Sequence, residues 1–160
     1  MSHLLLHTEV AAEWVDYNGH MNDAEYGHVF CTASNLMMDT IGLDAPGRAA
    51  LQCTLFTLES HICYVAEVHQ GEPLRVMLDI LDRDAKRIHA FFSMYRADDT
   101  LVATGEQLFM AMSTTTRRPT RLPEAVNQRL DEYGQLPRDA WPKHAGRPMG
   151  IRRPSRSGNP

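Results

Sequence analysis

Cysteine is scarce. The chain has 3, Cys31, Cys53 and Cys63, an odd number without the paired spacing of metal ligands. A disulfide framework and a structural zinc module are therefore not expected, and free thiols in a reducing cytoplasm are. Basic charge is in deficit, with 16 Lys and Arg against 20 Asp and Glu and a formal net charge of -4. No whole-chain positive field points to nucleic acid. No apolar run approaches the ~20 residues of a membrane-spanning helix. The opening Met1-Ser2-His3-Leu4-Leu5-Leu6-His7 lacks a basic start, an apolar stretch and a small-residue cleavage site, so no signal peptide is expected. No Gly-x-Gly-x-x-Gly follows a strand pattern, which argues against a dinucleotide-binding unit. There is no internal repeat.

What is present suits one ordinary globular domain: 160 residues, 43% apolar and 22% charged. Residues 4–14 read as a first strand and 15–21 as a polar loop. From Asn22 to about Ile41, Tyr26, Val29, Phe30, Ala33, Leu36, Met37 and Thr40 recur at spacings of three and four. That pattern predicts a long amphipathic helix, capped by Asn22 or Asp23 and stopped at Gly42. Asp44-Ala45-Pro46-Gly47 reads as a turn. The period then changes to two over 52–66 (with room for a bulge), 74–81, 87–96 and 101–113, with polar turns between, as in an antiparallel meander. A short helix is expected from Pro123 to Tyr133, ended by Gly134. The architecture implied is α+β, a sheet wrapped around one long helix. Residues 1–135 form the expected domain, and 136–160 a loosely ordered Pro/Arg-rich tail.

The chemistry concentrates in Glu13-Trp14-Val15-Asp16-Tyr17-Asn18-Gly19-His20-Met21-Asn22. A carboxylate, Asp16, stands just before a helix start. Such an acid can activate water at a carbonyl or attack it, while helix N–H groups polarise the carbonyl oxygen. The plainer role for Asp16 is an Asx-turn ahead of Gly19.

Asp16, Gly19, His20, Asn22 and a downstream Tyr26 resemble the motif of the 4-hydroxybenzoyl-CoA thioesterase-like group of hotdog-fold proteins. With Leu58-Glu59-Ser60-His61-Ile62, Asp84-Ala85-Lys86-Arg87-Ile88-His89 and Ala103-Thr104-Gly105-Glu106-Gln107, the chain resembles the betainyl-CoA thioesterases of bacterial carnitine degradation over residues 7–130. The resemblance implies hydrolysis of an acyl-CoA in the cytoplasm, with CoA as part of the substrate and no separate cofactor. Asp16 would be general base or nucleophile. Amides near Gly19–Met21 and Asn22 would form the oxyanion site, and glycine allows the substrate close to the backbone. His20 either orients Asp16, lines the acyl pocket or is structural. Asn22 either donates to the carbonyl or caps the helix. Tyr26 packs in the core or at a dimer contact. Glu25, on the first helical turn, is the weaker acid candidate.

Glu59 and His61 lie two apart on a strand and so share a face, toward the site, a subunit interface or solvent. A trimethylammonium acyl group would be held by aromatic faces, for which Trp14, Tyr17 and Tyr64 are candidates, with Glu59 as counter-charge. Trp14 also fits ordinary packing. Lys86 and Arg87, or Arg117, Arg118 and Arg121, are candidates for the CoA phosphates. No metal is expected. The group's habit of exposed sheet edges implies a homodimer or a dimer of dimers. Two other readings remain open here: a thioesterase for a different short-chain or aromatic acyl group, and a non-catalytic acyl-CoA-binding protein.

Overall fold

The computed structural model describes residues 2–151. Five strands form one antiparallel sheet in the order β1-β3-β4-β5-β2: β1 His3–Glu9, β2 Cys53–Tyr64, β3 Pro73–Arg83, β4 Arg87–Arg96 and β5 Leu101–Ser113. Helix α1, Asp23–Met38, lies across one face and touches both edge strands, β1 and β2, as well as β5. This is the α+β arrangement expected. α1 buries Tyr26, Val29, Phe30, Ala33 and Met37, so the expected face is the packed one. Gly105 on β5 lets it sit close. A Cβ there would meet the Phe30 ring at 2.8–3.0 Å, and Phe30 is fully buried with no room to yield.

The expected bulge exists, and it sets which side chains face α1. β2 shifts register against β5 between Thr57 and Glu59. Before the shift Cys53, Leu55 and Thr57 point toward the helix. After it Ser60, Ile62 and Tyr64 do, and Glu59 and His61 turn to the outer face. An extra residue in a period-two strand swaps its faces.

Three local expectations are corrected. β1 ends at Glu9, opposite Pro73, which has no N–H to extend the ladder; residues 12–14 form a single 3-10 turn. The helix ends at Met38 and runs into a wide turn, Asp39–Leu43, closed by Gly42 at φ 87°. Asp44-Ala45-Pro46-Gly47 is the start of a second helix, α2, Ala45–Leu51. The Asp44 carboxylate accepts the Gly47 N–H at 2.8 Å, and Pro46 occupies a first-turn position. Asp and Pro serve turns and helix starts alike. Helix α3, Glu124–Tyr133, ends at Gly134 as expected.

Of the tail expected to be loosely ordered, residues 136–146 pack on the outer face of the sheet while Met149 and Ile151 are exposed; residues 152–160 lie outside the described residues. Leu136 N–H donates to Ile80 O at 2.9 Å. Trp141 stands edge-on to His89, 5.3 Å between ring centroids, with Arg138 stacked 3.7 Å over its indole. Gly146 N–H donates to the Glu106 carboxylate, which also meets His89 Nε2 at 2.6 Å. Burial pushes the Glu106 carboxyl up, but the His89 and Gly146 hydrogen bonds outweigh it and the pKa is lowered. A lowered folded pKa stabilises fully above the unfolded value and is lost as pH falls through the folded one. Protease cleavage within 138–151 should therefore be slow at neutral pH and accelerate as pH falls below the ordinary 4.5 and through the lowered value of the folded protein. Glu106→Ala should bring the fast cleavage to neutral pH, at a cost of roughly 1.5–3 kcal/mol in stability. Unchanged cleavage in that variant would show that Glu106 does not hold the segment.

Candidate active site

The chain leaves the 3-10 turn into a loop closed by a bridge between Val15 and Met21. Asp16 N–H donates to His20 O, and Gly19 N–H to Asp16 O, each at 2.9 Å. Gly19 sits at φ 79°, where a side chain would be strained. Within the loop, Asp16 Oδ1 accepts the Asn18 N–H at 2.8 Å and the His20 N–H at 3.1 Å. Partial desolvation pushes the Asp16 carboxyl up. The two amides, the nearby His20 ring and the Asn18 side chain outweigh it, so the pKa is lowered and the group is ionised at neutral pH. The Asx geometry and a poised carboxylate thus coexist in one residue.

The amides expected as oxyanion donors are engaged within the protein. The amides of Gly19 and His20 are taken by Asp16, that of Met21 by Val68 O at 2.9 Å and that of Asn22 by Trp14 O at 2.9 Å. Ala24 N–H donates to Asp23 Oδ1 and Glu25 N–H to Asn22 O. Among the described residues, the amide without a partner in this stretch is Asp23, the first residue of α1. Asn22 holds the N-cap position, yet its side chain makes no capping bond and is exposed.

Beside this helix start opens a cleft of about 370 Å³, lined by His20, Met21, Asp23, Tyr26, Tyr64, Val65, Ala66 and Glu67. Tyr64 donates its hydroxyl to Asp23 O at 3.3 Å and stands edge-on to Tyr26, 5.2 Å between centroids. Burial, with Glu67 adding to it, pushes the Tyr26 phenol up, so that ring stays neutral. The cleft offers a free helix amide, the aromatic edges of Tyr26 and Tyr64 and the acid Glu67, with the Asp16 carboxylate in the adjoining loop outside its lining.

Other residues named from sequence do not gather here within one protomer. Tyr17 is 97% exposed, and Trp14 packs partly buried against the core and the His28 ring. Glu59 and His61 do share a face, but the outer one. They border a separate cavity of about 310 Å³ with His89, Glu106 and Arg147. Lys86, Arg87, Arg117 and Arg118 lie at the far end of the sheet, where β4 begins and β5 ends. The 12 residues of β2 separate the two ends by roughly 35 Å. Arg87 is committed to Asp84, whose carboxyl it holds down at about 2. Glu67 and His69 were not anticipated, since nothing in their local sequence ties them to residues 16–22.

A family model described as the thioesterase-like superfamily matches residues 10–130. The chain belongs to that superfamily. Among curated relatives, this thioesterase-like chain is 35% identical to a betainyl-CoA thioesterase of Pseudomonas aeruginosa, over 90% of this chain and 92% of the relative. It is 37% identical to an L-carnitine dehydrogenase/betainyl-CoA thioesterase of Agrobacterium fabrum, over 93% of this chain but only 30% of that longer protein. A Staphylococcus aureus protein solved in complex with CoA superposes with a TM-score of 0.87 at 34% identity, covering 95% of this chain and 98% of the other. A 1,4-dihydroxy-2-naphthoyl-CoA thioesterase from Synechocystis shares the fold at 16% identity, TM-score 0.72, over 82% and 97% of the two chains. The thioesterase-like architecture is the hotdog fold, a curled sheet around its helix. Among the described residues, no helix is long and apolar enough to cross a membrane.

Proposed function

We propose that this chain hydrolyses betainyl-CoA to glycine betaine and coenzyme A, in the cytoplasm and without a resident cofactor. The observation that carries the chemistry is Asp16, ionised and oriented by two backbone amides at the foot of α1. A water adding to the thioester carbonyl gives its proton to Asp16 while the carbonyl oxygen takes up negative charge. In this reading the Asp23 amide and the α1 dipole stabilise that charge. Collapse of the tetrahedral adduct breaks the C–S bond and expels the CoA thiolate, which takes up a proton. Direct attack by Asp16, giving a mixed anhydride that water opens, uses the same geometry.

The acyl group of betainyl-CoA carries a permanent cation. Tyr26 and Tyr64 present aromatic surface beside the Glu67 carboxylate, a combination that suits such a group at roughly 0.5–2 kcal/mol per aromatic contact. The longer relatives join a dehydrogenase name to this one, and this chain spans about 30% of the Agrobacterium protein.

We further propose a homodimer formed edge to edge through β2. A two-fold axis can pair two copies of β2 only antiparallel. Such pairing sets the Cys53 end of one protomer, with its Lys86, Arg117 and Arg118, beside the Tyr64 end of the other. The cationic cluster, remote from Asp16 in its own protomer, then serves the partner's cleft for the CoA phosphates.

Thiol release from betainyl-CoA, acetyl-CoA and 4-hydroxybenzoyl-CoA tests the substrate. A strong preference for betainyl-CoA is expected, about tenfold or more from the cation contacts alone. Equal rates on all three would reassign the acyl pocket, and tight binding without any thiol release would make the protein an acyl-CoA binder.

A further inference from the structure

His20 faces His69 across an antiparallel bridge, with 4.7 Å between ring centroids. Glu67, two residues before His69, places Oε2 3.5 Å from His20 Nε2. One ligating atom from each of the three lies within 4.8 Å of the other two. In a tetrahedral zinc site with bonds of about 2.0–2.1 Å, ligand atoms stand about 3.4 Å apart. The His20–Glu67 separation already matches. The His69 ring is exposed, so a change of side-chain rotamer can close its remaining gap to the set.

The backbone beneath is firm. Between the bridged histidines, Met21 N–H donates to Val68 O at 2.9 Å, and Glu72 accepts the His69 N–H at 2.6 Å. Two imidazoles and a carboxylate suit zinc and its late first-row neighbours, and three protein ligands leave a fourth position open. His20 and Glu67 also line the cleft, so the open position borders the space the substrate enters.

We propose that His20, Glu67 and His69 bind a zinc-type divalent ion at the lip of the cleft, and that the bound ion inhibits turnover. The binding stands on this geometry alone; the inhibition rests on the thioesterase reading. An ion held there takes His20 and Glu67 out of the cleft's own chemistry. It also adds positive charge where a cationic acyl group approaches, so betainyl-CoA should be more strongly inhibited than uncharged acetyl-CoA.

The test uses the full chain, stripped with chelator and held above the ordinary imidazole pKa of about 6.5. Zinc is titrated by calorimetry and cobalt by its visible absorption. Expected are a single saturable ion per chain, a cobalt spectrum of low coordination number, and affinity lowered about tenfold or more in His69→Ala. Thiol release by metal-free His69→Ala should equal that of wild type, because His69 takes no part in the proposed hydrolysis. Absence of saturable binding, or binding unchanged in a folded His69→Ala, overturns the site and leaves a plain His–Glu pair. Binding without zinc inhibition of either substrate overturns the inhibitory role, and equal inhibition of both overturns the charge repulsion assigned to it. If no thioester is hydrolysed at all, the titrations still decide the site, so its failure and that of the proposed function stay distinct.

Discussion

Asp16→Asn should lower thiol release by about 10²–10⁴-fold while leaving the fold and the affinity for CoA in place. The asparagine keeps an Oδ1 able to accept the Asn18 and His20 amides, so the loop retains its shape. What is lost is the group that takes the proton from water or attacks the carbonyl. The pH dependence follows from the lowered pKa of Asp16. A base acts when deprotonated, so activity should rise with pH through a value below the ordinary 3.8 and then stay level toward neutrality. Wild-type-like turnover in Asp16→Asn would move the catalytic acid elsewhere. Glu25 is the next candidate, half-buried on the first turn of α1 with its carboxylate 3.2 Å from His28 Nδ1. A profile with its acidic limb well above pH 4 would argue the same way.

The Asp16 loop was legible in the sequence because its parts are consecutive. Asp16, Gly19 and the start of α1 fall within a few residues, and local hydrogen bonds shape the rest. β4 and β5 were legible because polar turns bound them, although continuous buried runs interrupt the period-two alternation in both. The long helix was legible because one apolar stripe persisted over four turns. The cleft was not. Glu67 and Tyr64 reach the loop through pairing between segments distant in the chain, such as the bridge from His20 to His69 outside the cleft lining. Glu59 and His61 show the same limit in another form. Period two put them on a common face, but the bulge after Thr57 and the packing of β2 against β5 chose the outer one. The packing of residues 136–146 was not legible because an aperiodic segment can still be ordered by a few contacts, here Trp141 and the Glu106 bond to Gly146.

Placing lysines on the β2 edge, as Phe56→Lys with Leu58→Lys, should convert the protein to a folded monomer and lower turnover on the order of 10²-fold. Phe56 and Leu58 are 48% and 50% exposed in the protomer, so neither substitution opens a hole in the core. β2 is a long strand at the edge of the sheet, partnered on one side by β5 alone, and it carries exposed apolar side chains. Such an edge is a template for pairing, and charge along it is the usual way that pairing is blocked. The loss of activity is the informative part. Phe56 and Leu58 lie outside the cleft lining and away from Asp16, so their effect on turnover must pass through the partner. A sedimenting monomer that still hydrolyses its substrate at the wild-type rate would show that one protomer holds the whole site, with Lys86, Arg117 and Arg118 idle. A persistent dimer would shift the interface to β1 or the outer face. Loss of both dimer and activity, restored together by reverting either lysine, would join the far basic cluster to the Asp16 cleft across the two-fold.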